Sequence, residues 1–206
     1  TEAGMVFPDP KPISPNTALQ TAPRVKRNSL GEVFVNFKDL RDDPIDGDQY
    51  FQKIDTAGDP QWGEGVRLDP VDDIDFSARF TANTLGGVSV IWERGTFPDV
   101  DIFFQNLTSD GNYSLVEPLA ISNNLGYQFS PILSGDEQNG MYAIYADQGS
   151  GSIDLMVQKL SANFESEWGE TGLVAMNGLD GDVNYTQTYR LGDQSLFHVW
   201  EDNRAS

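Results

Sequence analysis

The chain has 206 residues, with 13 Lys and Arg against 32 Asp and Glu, for a formal net charge of −19. That balance excludes a nucleic-acid binder working by phosphate neutralisation, and the absence of Cys excludes a disulfide framework and thiolate chemistry. A hydrophobic content of 38% with 11% aromatics is enough to build a core, while the apolar runs at 87–92 and 141–145 are far shorter than the ~18 residues of a membrane helix, so no membrane insertion is expected.

Residues 1–16 carry Pro8, Pro10, Pro12 and Pro15 and read as an extended linker or tether. From residue 17 the sequence repeats. Asp48, Asp101 and Asp154 step by 53, and so do Gln52, Gln105 and Gln158. Ten residues after each Gln comes Trp62, then Leu115, then Trp168, so the middle copy has drifted. Upstream of each Asp, a β-branched and aromatic run closes on Phe37, Trp92 and Tyr145, with a fourth such run closing on Trp200. Gly31, Gly86-Gly87 and Gly140 precede the first three runs, and turn strings such as Asp55-Thr56-Ala57-Gly58 and Ser109-Asp110-Gly111 follow the Gln strands. The units run at about 17–70, 72–123, 125–178 and an incomplete 180–206. Four short strands per unit of about 50 residues, without helical periodicity, predict an all-β fold, a β-propeller of three blades plus part of a fourth. An incomplete last blade leaves a sheet edge open, so the chain reads as a fragment of a larger propeller.

The strings Gln20-x-x-Pro23 and Gln128-x-x-Pro131, the Asp to Gln strands, and Trp200-x-Asp202-x-Arg204 resemble the propeller repeats of large secreted and cell-surface bacterial proteins, notably of Bacteroidota, many of them type 9 secretion substrates. The resemblance implies fold and an extracellular or cell-surface setting; it carries no activity.

The repeated residues read as structural. An Asp opening a strand accepts nearby backbone N–H groups, which gives Asp48, Asp101 and Asp154 an anchoring role. Gln52, Gln105 and Gln158 stand mid-strand, where an amide can bridge blades. Trp92 and Trp200, with Phe37 and Tyr145, are expected to pack between blades, and Trp62 and Trp168 to cover the blade's outer end.

Asp180, Asp182 and Asn184 have the spacing of the start of a calcium loop, but Tyr185 and Leu191 stand where an EF-hand needs Gly and Glu, so only an irregular calcium site is conceivable. No other cofactor is indicated. Asp69, Asp72, Asp73 and Asp75 read as a solvated turn, and His198 as a satisfied core imidazole, since one His cannot make a triad or a zinc site. Asn106, Asn112 and Asn184 open Asn-x-Ser/Thr strings.

The reading favoured by this pattern is a non-enzymatic propeller module that presents loops to a protein or glycan at the cell surface, within a longer chain or larger assembly. Two alternatives stand beside it. One is a carbohydrate-active, glycosidase-like propeller, and the other a cargo or accessory subunit of a bacterial envelope or secretion assembly.

Overall fold

In a computed structural model, residues 10–71, 74–83, 85–136, 138–149, 151–179, 184–190 and 195–201 are described. Their regular structure is all β, and among them no helix is long and apolar enough to cross a membrane. The chain divides into two compact units, Thr1–Pro70 and Val71–Ser206.

Unit 1 is one antiparallel meander of four strands, β1 (Gln20–Arg27), β2 (Val33–Asp39), β3 (Asp48–Ile54) and β4 (Val66–Arg67), hydrogen-bonded in chain order. Unit 2 repeats that meander in β5 (Asp75–Ala82), β6 (Val88–Thr96), β7 (Asp99–Leu107) and β8 (Leu119–Ser122). It does so again in β9 (Gln128–Gly135), β10 (Met141–Asp147), β11 (Ile153–Leu160) and β12 (Leu173–Leu179). A hairpin follows, formed by β13 (Asn184–Arg190) and β14 (Leu196–Glu201). These are propeller blades. Within unit 2 the first strands of successive blades, β5, β9 and β13, lie against one another.

Local chemistry explains the meander. At the turn between first and second strands, Asn28 Oδ1 accepts the N–H groups of Leu30 and Glu32, Asn83 Oδ1 those of Leu85 and Gly87, and Asp136 Oδ1 those of Gln138 and Gly140. A side-chain oxygen that mimics a backbone turn fixes each hairpin. Second and third strands carry apolar residues on both faces because a blade is covered on both sides. Ile91, Ile102, Phe104 and Ile121 of the second blade thus pack with Met141, Ala143, Tyr145, Met156 and Leu160 of the third.

The aromatic closers Phe37, Trp92, Tyr145 and Trp200 are each the fifth residue of a second strand. Opposite every one of them the first strand carries an extra residue, a β-bulge at 22–23, 77–78, 130–131 and 185–186. Ala22, Ser77 and Ser130 adopt positive φ there, at 49°, 49° and 55°.

Of the segment read as a tether, residues 10–16 lie against the first sheet. Lys11 Nζ is 2.8 Å from Asp59 Oδ1, Ser14 Oγ donates to the Glu64 carbonyl, and the Ile13 carbonyl accepts from Gln52 Nε2 at 3.0 Å.

Candidate functional site

The three repeated Gln side chains are buried and do one job. Gln52 Oε1 accepts the Trp62 N–H at 2.8 Å and its Nε2 donates to the Gly63 carbonyl at 2.9 Å. Gln105 holds Leu115 N–H and carbonyl at 3.1 and 2.9 Å, and Gln158 holds Trp168 N–H and the Gly169 carbonyl at 3.2 and 2.7 Å. Each amide therefore clamps the loop between third and fourth strands of its own blade; the expected bridge between blades is not what the amides make.

The repeated Asp residues stand at equivalent register points, opposite Asp39, Arg94 and Asp147, yet their partners differ. Asp48 Oδ1 meets Arg67 Nη2 at 2.8 Å, and Asp154 Oδ1 accepts the Gly178 N–H at 2.9 Å. Asp101 Oδ1 is buried without a hydrogen-bond partner. These residues mark what we term the leading end of each blade, where the first strand starts, the second ends and the third begins.

At that end the first and third blades use an amide and a carboxylate together. Gln20 Nε2 donates to Asp39 Oδ2 at 3.1 Å, and Gln128 Nε2 to Asp147 Oδ1 at 3.3 Å. Burial pushes the Asp39 carboxyl up, but the bonds and charge of Arg41, 2.6 Å away, outweigh it and hold the group below its ordinary range. Arg41 also reaches Ser14 Oγ and the Glu64 carbonyl, so Phe37-x-Asp39-x-Arg41 is a structural clasp.

The second blade breaks this pattern at three places. Asp75 replaces the Gln, and Arg94 replaces the Asp. Between Trp92 and Arg94 stands Glu93, where the first and third blades have Lys38 and Ala146. Glu93 is only 5% exposed. Its Oε1 accepts the N–H of the bulge residue Ser130 at 2.8 Å. Burial raises its pKa, against the lowering effect of the Ser130 amide, the Ser77 hydroxyl and the Arg79 charge. A carboxyl inclined to keep its proton is thereby fixed between the first strands of two neighbouring blades. Asp75, also buried, accepts the Trp92 indole N–H at 2.8 Å. The Arg94 guanidinium lies 3.5 Å from the Phe103 ring centroid.

An aromatic run rises beside this cluster. Phe129 stacks on Tyr127 at 4.7 Å between centroids, and Tyr127 meets the edge of Phe97 at 5.9 Å. Phe97 is 75% exposed, an apolar ring face of the kind that packs against the C–H face of a sugar. Burial, then the neighbouring Glu93 carboxylate, raises the Tyr127 pKa.

Burial and the repulsion of Asp99 push Asp101 up to about 6, against the pull of Arg94. Between about 3.8 and about 6 the folded chain then holds more protons than the unfolded one, so stability falls as pH rises through that window. An Asp capping backbone amides would behave oppositely, and no amide among the described residues is bonded to Asp101. We expect Asp101→Asn to raise the thermal midpoint at pH 7 and to flatten its fall across the window; a lowered midpoint at pH 7 would restore the anchoring role read from the repeat.

The tryptophans pack. Trp62 packs tilted against Phe34 at 5.7 Å between centroids, Trp168 likewise against Tyr142 at 5.9 Å, Trp92 is fully buried, and Trp200 stacks on His198 at 5.9 Å. His198 Nδ1 is 2.7 Å from Thr188 Oγ1, and burial lowers its pKa. Asp69 and Asp75 are buried, which corrects the solvated-turn reading for both; Asp72 and Asp73 lie outside the described residues. So do Asp180, Asp182 and the Asn184 side chain. Among the described residues no group of three or more His, Cys, Asp or Glu comes together as a metal site. Asn106 is buried inside an amide network, so its Asn-x-Thr string is not an accessible acceptor.

No family model matches the chain, and no curated protein matches it. Solved structures do. An α-L-arabinanase of Penicillium chrysogenum in complex with arabinobiose is 14% identical over 91% of this chain and 60% of its own, with a TM-score of 0.59. An α-L-arabinofuranosidase of Fusarium graminearum is 13% identical over 92% of this chain and 59% of its own, at 0.57. An endo-arabinase of Bacteroides thetaiotaomicron is 11% identical over 87% and 69%, at 0.51. This chain thus spans about 60% of the length of the first two. The likeness is one of fold, and it corrects the non-enzymatic reading this far: the fold is one that two arabinanases and an arabinofuranosidase share. The sequence pattern does not mark Glu93 and Phe97, and it places Asp75 in a solvated turn; Arg94, standing where the first and third blades have Asp39 and Asp147, is the signal.

Proposed function

We propose that the chain belongs to a carbohydrate-active propeller enzyme, with the leading end of unit 2 as its active end and Glu93 as general acid. The observation that carries the reading is Glu93 itself, a buried carboxyl with a raised pKa that neither neighbouring repeat possesses. Glycoside cleavage needs such an acid together with a second carboxylate. Glu93 gives its proton to the glycosidic oxygen as the bond from that oxygen to the anomeric carbon breaks. Asp75, on the first strand and oriented by the Trp92 indole, takes the proton of the attacking water, whose oxygen joins the anomeric carbon. Phe97 offers the ring against which a sugar rests. Polymeric glycans are met outside the cell, so an extracellular or cell-surface setting belongs to the same proposal, and the polymer is the partner.

The test is release of reducing ends from arabinan, arabinoxylan and galactan by the full protein and its Asp75→Asn variant. We expect cleavage of at least one polymer and a loss of about 10²-fold or more in the variant. A folded wild-type protein that cleaves none of them would overturn the reading.

A further inference from the structure

Away from the leading end, unit 2 holds a cavity. On the second blade's far end, where the first strand ends and the second begins, a cavity of about 310 Å³ is lined by Asn83, Ser89, Asn106, Ser114, Met141 and Phe164, among others. Its origin lies in the repeat. In the first and third blades the equivalent space is filled by an aromatic, a Lys and a Trp: Phe34, Lys53 and Trp62, then Tyr142, Lys159 and Trp168. Each Lys lies about one ring-width from the aromatic, at 5.9 and 6.0 Å, and is tied down by Glu32 or Glu167. In the second blade those positions hold Ser89, Asn106 and Leu115, and Ser114 stands where the third blade has Glu167. Bulk and charge have both been removed, and an open pocket remains.

What replaced them is an ordered polar lining. Asn106 Oδ1 accepts from Ser89 Oγ at 2.8 Å and from Asn83 Nδ2 at 2.9 Å, while Asn106 Nδ2 donates to Ser114 Oγ at 2.6 Å. Asn83 Oδ1 is held by the Leu85 and Gly87 N–H groups. Each amide nitrogen has two N–H groups, and one of each is used among the described residues. Both amides are thus oriented in advance by neighbours that leave them donors. Phe164, tilted on Phe104 at 5.2 Å between centroids, supplies an apolar wall. Among the described residues no lining side chain is charged, on a chain whose net charge is −19.

We propose that this pocket binds a neutral sugar, one or two rings of a glycan, as a site separate from the acid. Oriented amides and hydroxyls beside an aromatic wall suit a neutral polyol, and the volume falls at the small end of ordinary ligand sites. Ser89, Ile91 and Glu93 lie on one face of β6, so pocket and acid are four residues apart along the strand, on the order of 13 Å, with the packed Ile91 between them. The proposal rests on the glycan reading only for the choice of probe, and binding is measured without turnover.

The experiment follows backbone and side-chain amide NMR shifts in the full chain titrated with arabinobiose and xylobiose, with galacturonic acid as the charged control. The variants are Ser89→Tyr with Asn106→Lys, which restores the aromatic and the Lys of the third blade, and Ser114→Glu alone. We expect saturable shifts centred on Asn83 and Asn106 with a neutral disaccharide and none with the acid. Binding should weaken at least tenfold in both variants and persist in Glu93→Gln. If the double variant does not fold, Ser114→Glu decides alone. Absence of shifts in the wild type, equal binding by a folded variant, or loss of binding in Glu93→Gln each overturns the pocket. A wild type that binds but cleaves nothing removes the enzyme reading and leaves the pocket standing.

Discussion

Glu93→Gln is expected to lower kcat on a susceptible glycan by about 10²- to 10⁴-fold, the range that a positioned general acid contributes, with no loss of thermal midpoint at neutral pH. The two halves of this expectation have different causes. Catalysis needs a proton that Gln cannot give. Stability needs only an acceptor for the Ser130 N–H, and the Gln amide oxygen supplies one. Burial raises the Glu93 pKa, so the folded chain binds more protons than the unfolded one above the ordinary Glu value. Stability therefore falls as pH climbs from that value through the raised one, and Gln, which has no charge to bury, removes the fall. Wild-type kcat should decline on the alkaline side as Glu93 loses its proton. Kinetics and calorimetry on the same preparation decide. A variant that keeps its activity and melts lower would make Glu93 a clamp between blades and nothing more.

Gln52→Leu is expected to cost about 4 kcal/mol of folding stability: the buried Trp62 N–H left unmet costs about 1–3 kcal/mol, and the lost bonds to the exposed Gly63 and half-buried Ile13 carbonyls about 0.5–1.5 kcal/mol each. That is a large part of the ~5–15 kcal/mol of an ordinary domain. Denaturant titration should show it as a shifted midpoint, and exchange of the loop amides at 55–65 should quicken before global unfolding. Gln158→Leu should behave likewise through Trp168 and Gly169. A cost under about 1 kcal/mol would mean that water can replace the amide.

The blades were legible because their constraint is metric. A Gln oxygen that must meet the N–H ten residues later fixes the loop length, and Trp62, Leu115 and Trp168 all keep that distance whatever their side chains. The bulges were less legible, because backbone conformation leaves no single residue type. Ala22, Ser77 and Ser130 share only their φ, though Pro23 and Pro131 mark the second bulge position in two blades. Glu93 was hidden for another reason. Attention to what recurs selects the scaffold, whereas Asp75, Glu93 and Arg94 are visible only as departures from it. The Trp spacing exposes one departure, the drift at Leu115, and Ser89 and Asn106 beside it are what open the far pocket.

The bulge has one more consequence, for how such a chain can change over generations. It presents a main-chain N–H, one that no point substitution short of Pro erases, and duplication copies it into every blade along with the sheet. A carboxylate arriving at the position of Glu93 in a copy packed against such a bulge would find a donor already in place, inherited rather than selected. In a protein made by repetition, an acidic group can therefore migrate from blade to blade by single codon changes, and the number of blades sets how many trials are available before any loop has to be rebuilt.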